Sequence, residues 1–253
     1  MRIPRLSIIA TAMCVGASAL PAQNMLVREP SHYANYGYGH STWGTFTGIF
    51  NAAFGAANIN VTAAVTPGSL AGYSALMLTL PNLPDAPYLL TAAEMAEITT
   101  FLNAGGRVYA FGENSAWNNW NNNIAALVGA TVGGSYTGIA TPVGPSGLLT
   151  GVNSVYYPAG GAFLSLGGGQ PLFNTNVAAL FGPSLNALFI LDVNLCDNNY
   201  IGNADNLRFC QNIGGWLAGH IDPPQSGVPE PATFVLLGSG LAVIAATRFR
   251  RKA

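Results

Sequence analysis

The chain has 253 residues, room for one domain of ordinary size once terminal segments are set aside; half of them are hydrophobic and only 8% are charged. Between residues 24 and 227 three arginines face nine acids with no lysine, a net charge of −6, while the other six cations sit at the two chain ends. An acidic, lysine-free body excludes nucleic-acid binding, which needs clustered cations against phosphates, and no Gly-Lys-Ser/Thr exists to build a phosphate-gripping loop.

Arg2 and Arg5 precede an apolar run over 6–20, and Ala17, Ser18 and Ala19 supply the small residues a signal peptidase accepts. Residues 1–22 therefore read as a secretory signal, with cleavage after Ala19 or Ala22. Met13 before Cys14 is a poor fit to a lipoprotein site, so lipidation is not expected.

A first strand is expected at 25–27, then a helix over 42–57, where Trp43, Phe46, Ile49, Phe50, Ala53 and Phe54 recur at helical spacing. Residues 59–65 alternate as a strand, and 73–80 read as a buried one, followed by a loop holding Pro81, Pro84 and Pro87. Thr91 with Glu94 three residues on forms a capping box, opening a helix that stops at Gly105 and Gly106. A strand at 107–111 and a helix at 117–128 follow. Twelve glycines then interrupt short β-like pieces between 129 and 170, such as 152–157, so irregular strands and loops are expected there. Residues 187–193 are the clearest core strand, and 204–217 form a last helix with Leu207, Ile213, Trp216 and Leu217 available for packing. Strands alternating with helices predict an α/β fold over 24–222, layered, with a largely parallel sheet flanked by helices and a glycine-rich insert.

A linker at 223–228 leads into the terminal segment. The apolar run 233–247 is 15 residues, about 22 Å as a helix against a hydrocarbon core of about 30 Å, a short transmembrane span. Arg248, Arg250, Arg251 and Lys252 should stay cytoplasmic, placing everything upstream across the membrane. Val228, Pro229, Glu230 and Pro231 leave an extended strip just outside it, because the prolines block helix extension. Motif, span and basic tail in this order closely resemble the PEP-CTERM sorting signal. The resemblance implies export and processing by an exosortase, a transpeptidase-like enzyme of the inner membrane, often in bacteria that make exopolysaccharide. The alternative is a permanent single-pass anchor.

The body carries a second resemblance. YSALML from Tyr73, LTAAE from Leu90 and FLNAGGRVYAFG from Phe101 look like the class I glutamine amidotransferase-like fold, and FILD from Phe189, NADNLRF from Asn203 and GWL from Gly215 are similar to the last strand and helix of its noncatalytic members. In catalytic members a cysteine nucleophile follows the strand after Gly-Gly. The matching position here is Gly112, or Glu113 on a one-residue slip, so the resemblance implies a fold without its thiol chemistry.

Other chemistry is sparse. No Gly-x-Ser-x-Gly elbow is present, Ser31, His32 and His40 are neighbours without a defined geometry, and three dispersed histidines show no zinc spacing, so neither metal nor cofactor is expected. After signal removal Cys196 and Cys210 remain, and in an oxidising compartment they predict a disulfide. Asp192, Asp197 and Asn199 in the same loop offer oxygen ligands for calcium; a hydrogen-bonded Asx turn is the competing reading. Glu113, Asn114, Trp117 and Trp120 combine a carboxylate, an amide and two indoles at the place where this fold class holds ligands, with Tyr33, Tyr36, Tyr38 and Trp43 nearby in the same scheme. Three functions fit: a noncatalytic exported domain, with a surface glycan as its ligand; a secreted hydrolase around Glu113, His32 or His40; or a structural matrix protein.

Overall fold

The computed structural model describes residues 23–32, 34–144 and 146–221. The secretory signal at 1–22, Tyr33, the linker at 223–228, the sorting residues Val228, Pro229, Glu230 and Pro231, the apolar segment 233–247 and the tail cations lie outside the described residues.

The layers follow chain order. Strand β1 (Met25–Arg28) leads through a 3-10 turn into helix α1 (Gly44–Phe54), then β2 (Ile59–Thr62), β3 (Ala75–Leu78), α2 (Ala92–Asn103), β4 (Arg107–Phe111) and α3 (Asn118–Ala125). A hairpin, β5 (Thr131–Ala140) and β6 (Val155–Ser165), precedes β7 (Gln170–Pro171), β8 (Ala178–Phe181), β9 (Ala187–Ile190) and α4 (Asn206–Leu217). The main sheet runs β2-β1-β3-β4-β9-β8-β7, with the first five strands parallel, β8 antiparallel to β9 and β7 antiparallel to β8. This is the α/β layered architecture expected, extended by an antiparallel edge. Strands β1, β3, β8 and β9 are buried at every residue, as apolar runs covered on both faces should be.

Trp43, Phe46 and Phe50 bring one face of α1 onto the sheet, with Trp43 4.5 Å from Phe111 and Phe46 6.2 Å from Tyr109 between ring centroids. Helix α4 lies beside α1 so closely that a Cβ on Gly214 would stand 2.6 Å from Ile49 Cγ2. The capping box of α2 is formed: Thr91 Oγ1 accepts from Glu94 N, and Thr91 N donates to Glu94 Oε2.

Several expectations need correction. The stretch 129–170 holds irregular strands, as expected, but they are two long ones of ten and eleven residues paired as an antiparallel hairpin with register shifts rather than short pieces. Its glycines mark bends and close backbone approach instead of breaks. The helix at 117–128 is α-helical only over 118–125, between 3-10 turns. Leu207 is 41% exposed, because the buried stripe of α4 runs through Asn206, Phe209, Cys210, Ile213 and Trp216 and leaves it outside.

Candidate functional site

After β1 the chain first turns to β2 on one side and then crosses to β3 on the other, so the order reverses at β1. In open α/β sheets the crevice at such a reversal, outside the carboxyl ends of the strands, is where ligands sit. Here those ends present Arg28 and Glu29 after β1, Gly112 and Glu113 after β4, and Asp192 after β9.

At the position where the sequence resemblance would put a nucleophile, Gly112 has no room for a side chain. A Cβ there would stand 2.6 Å from both Asn121 Oδ1 and Leu191 Cδ2. Asn121, fully buried on α3, takes that space, accepting from Glu113 N at 3.0 Å and donating to Glu113 O at 2.6 Å. The Glu113 side chain turns inward. Its Oε1 accepts from Asn114 N and Nδ2, both at 3.0 Å, and its Oε2 accepts from Val193 N at 3.3 Å and Asn194 Nδ2 at 3.2 Å. Burial and the neighbouring Asp192 push its pKa up to about 8, and the four donors only partly offset them. Asp192, itself fully buried, is raised to about 7 by burial although it accepts from Ala159 N and Asn194 N.

What covers these carboxyls is the chain's own hairpin. Gly161 N donates to Leu191 O at 2.6 Å, and a Cβ on Gly160 would approach the same carbonyl to 3.0 Å. Ser135 Oγ on β5 accepts from Ser115 N, and Asn122 on α3 both accepts from and donates to the backbone of Val132. The insert thus lies over the ends of β4 and β9. Sequence reasoning missed this because no residue pattern tells which backbone a glycine-rich strand will press against.

The two tryptophans are structural neighbours of this region. Trp120 is fully buried; its Nε1 donates to Phe111 O, and its ring lies 5.8 Å from the Arg28 guanidinium. Trp117 is 7% exposed. The pair therefore offers no open stacking face to a sugar, the outcome the commoner role of helically spaced indoles predicts. Asn114 caps the 3-10 turn at Ser115–Trp117, accepting from Ala116 N. Arg28 forms a buried ion pair with Glu94, Nε to Oε1 at 3.1 Å, and donates to Tyr88 O and Leu89 O.

Cys196 and Cys210 form a disulfide with Cα atoms 6.1 Å apart, tying the loop after β9 to α4. The acids beside it serve the backbone. Asp197 accepts from Asn199 N and Tyr200 N, Asp192 from Asn194 N, and the Asn199 side chain is on an exposed residue. Those are Asx-turn contacts, the competing reading of these residues. Tyr36 OH reaches across from the loop after β1, 2.6 Å from Asn194 Oδ1 and 3.2 Å from Asp197 Oδ2.

In the same β1–α1 loop, Glu29, His32 and His40 come together, with one ligand atom from each within 4.8 Å of the others. Glu29 and His32 are three apart, but His40 returns only because Ala34, Asn35, Gly37 and Gly39 adopt positive φ. That backbone path is not legible in residue spacing; the surplus of Gly and Asn between the histidines was the available signal.

At the carboxyl end of the sequence the comparison with known families is decisive. Residues 227–252 match the PEP-CTERM protein-sorting motif. This chain carries a PEP-CTERM sorting signal. The signal implies an exported protein processed by an exosortase. No helix among the described residues is long and apolar enough to cross a membrane. No curated protein matches the chain. Among solved structures, the mmIFT52 N-terminal domain is similar at 12% identity and a TM-score of 0.59, over 77% of this chain and 96% of that one. A ThuA-like protein from Bacteroides uniformis is similar at 14% identity and a TM-score of 0.50, over 76% and 90%. These likenesses concern the fold of the body alone.

Proposed function

We propose that this PEP-CTERM protein is a noncatalytic exported domain, delivered through the inner membrane by signal peptidase and exosortase processing to the cell surface or extracellular matrix. The observation that carries the noncatalytic reading is Gly112: the nucleophile position has no side chain, no space for one, and the β5–β6 hairpin beside it. Glu113, the remaining acid there, is held by four donors and spans β4 to the loop after β9 as a brace. A surface glycan or exopolysaccharide as partner would need contacts other than the buried Trp117 and Trp120 faces.

Fractionation of cells expressing the full chain and a chain ending at residue 227 tests the delivery. The full chain is expected at the surface or in the medium, and the truncated chain in the soluble exported fraction. An identical distribution of the two overturns the sorting reading. Purified full chain assayed against amide and ester substrates should show no turnover that Glu113→Ala abolishes; turnover lost in that variant would favour the hydrolase reading instead.

A further inference from the structure

The geometry points to a divalent-metal site of the zinc class formed by Glu29, His32 and His40 at the sheet's topological switch point, independent of how the chain is sorted. His40 Nε2 lies 2.7 Å and His32 Nδ1 3.8 Å from the same oxygen, Glu29 Oε1. The two imidazoles stack with centroids 3.8 Å apart and planes 31° from parallel. Two ligands each about 2.0–2.1 Å from a tetrahedral zinc stand about 3.4 Å from one another, so the observed separations bracket the coordination spacing. One carboxylate and two imidazoles is a donor set suited to a borderline ion rather than to calcium or magnesium.

A second observation points the same way. The Glu29 side chain is 6% exposed, and its Oε2 is buried with no hydrogen-bond partner. An orphaned buried carboxylate oxygen costs stability, and a cation chelated by both Glu29 oxygens beside the imidazoles would remove that cost. Gly37 shapes the pocket around this oxygen, since a Cβ at its place would overlap Oε2, and its φ of 136° keeps the site open to Gly alone. His32 and His40 side chains are 43% and 28% exposed, so the ion is reachable from solvent. Three protein ligands with an open side leave a coordination position for water or an external ligand. The loop that holds them is anchored independently by Tyr38 OH donating to Asn51 Oδ1 and by Gly39 N donating to Thr47 Oγ1, so the ligands are positioned before any ion arrives.

The test is calorimetric titration of the chelator-stripped full chain with Zn2+, with Co2+ absorption reporting on imidazole coordination. One saturable ion per chain is expected. His32→Ala and His40→Ala should each weaken binding by more than about a hundredfold, beyond the roughly ten- to hundredfold loss typical of removing a mere supporting group. His220→Ala should leave it unchanged. His32 is exposed enough that its variant folds, and circular dichroism of each variant verifies this. Absence of saturable Zn2+ binding by the unsubstituted chain overturns the proposal. So does undiminished binding by a folded His32→Ala/His40→Ala chain.

Discussion

Gly161 on β6 rests on the backbone of Glu113: a Cβ at Gly161 would stand 2.5 Å from the Glu113 carbonyl oxygen and 3.4 Å from Asn121 Nδ2. Both neighbours are held by each other: the Asn121 amide donates to that carbonyl and accepts from Glu113 N, just beyond the end of β4. Nothing flexible is available to yield.

Gly161→Ala should therefore destabilise the domain by about 1–3 kcal/mol, the cost of overpacking a close-packed contact. Gly168→Ala is the matched control, because nothing lies within 4 Å of its Cβ position, and it should stay within about 0.5 kcal/mol of the parent. Denaturant midpoints at constant slope measure both. Equal midpoints for the two variants would mean that the hairpin does not bear on β4.

Glu113 at about 8 and Asp192 at about 7 both lie above their ordinary values of 4.5 and 3.8, first because they are buried. Between about pH 4 and pH 8 the folded chain thus holds protons that the unfolded chain has released. Stability is greatest toward the acid side of this window and falls as pH rises through the folded values. Each unit of displacement corresponds to about 1.4 kcal/mol, so a decline on the order of a few kcal/mol is expected by pH 9. Asp197, also raised by burial, adds in the same direction, whereas Glu94 and Asp205 are held low and act only in more acidic solution. Thermal midpoints from pH 5 to 9 should slope downward, and Glu113→Gln, which cannot titrate, should flatten the slope.

These relationships separate what residue patterns reveal from what they hide. The capping box at Thr91 and Glu94, the strand at 107–111 and the cystine at Cys196 and Cys210 are local or combinatorial signals, and each appears in the fold. The contact of Gly161 with Glu113 spans 48 positions and depends on backbone alone, so no side chain announces it. The gathering of His40 onto Glu29 depends on four positive φ angles, two at Gly37 and Gly39, where glycine permits but does not dictate them, and two at Ala34 and Asn35, where no glycine marks them. Trp117 and Trp120 show the converse: their spacing correctly marks one helix face, but only the packing decides that this face is turned inward.

The disulfide closes a loop of about 15 residues, a constraint on the unfolded chain worth about 3 kcal/mol. Cys196 and Cys210 are 1% and 0% exposed, so reductant reaches the bond only through opening of the domain. Alkylation without reduction should modify neither cysteine. A Cys196→Ala/Cys210→Ala chain should lose about 2–4 kcal/mol by denaturant titration, with the loss insensitive to added reductant.

Arg28 ends β1 inside the protein, and Glu94 answers it from the first turn of α2. Burial alone would lower Arg28 and raise Glu94; the bonds from Thr91, Arg28 and Val65 outweigh it at Glu94 and keep the carboxylate charged. Removing one partner leaves the other charge buried without compensation, so Glu94→Ala should cost about 3–5 kcal/mol. Arg28→Met/Glu94→Leu removes both charges and should recover most of that loss. About 1 kcal/mol should remain unrecovered, because the second variant still lacks the reciprocal cap at Thr91. Denaturant titration of the two chains decides the matter: if the double variant is no more stable than Glu94→Ala, the dominant cost lies in the cap and the packing, not in the stranded guanidinium.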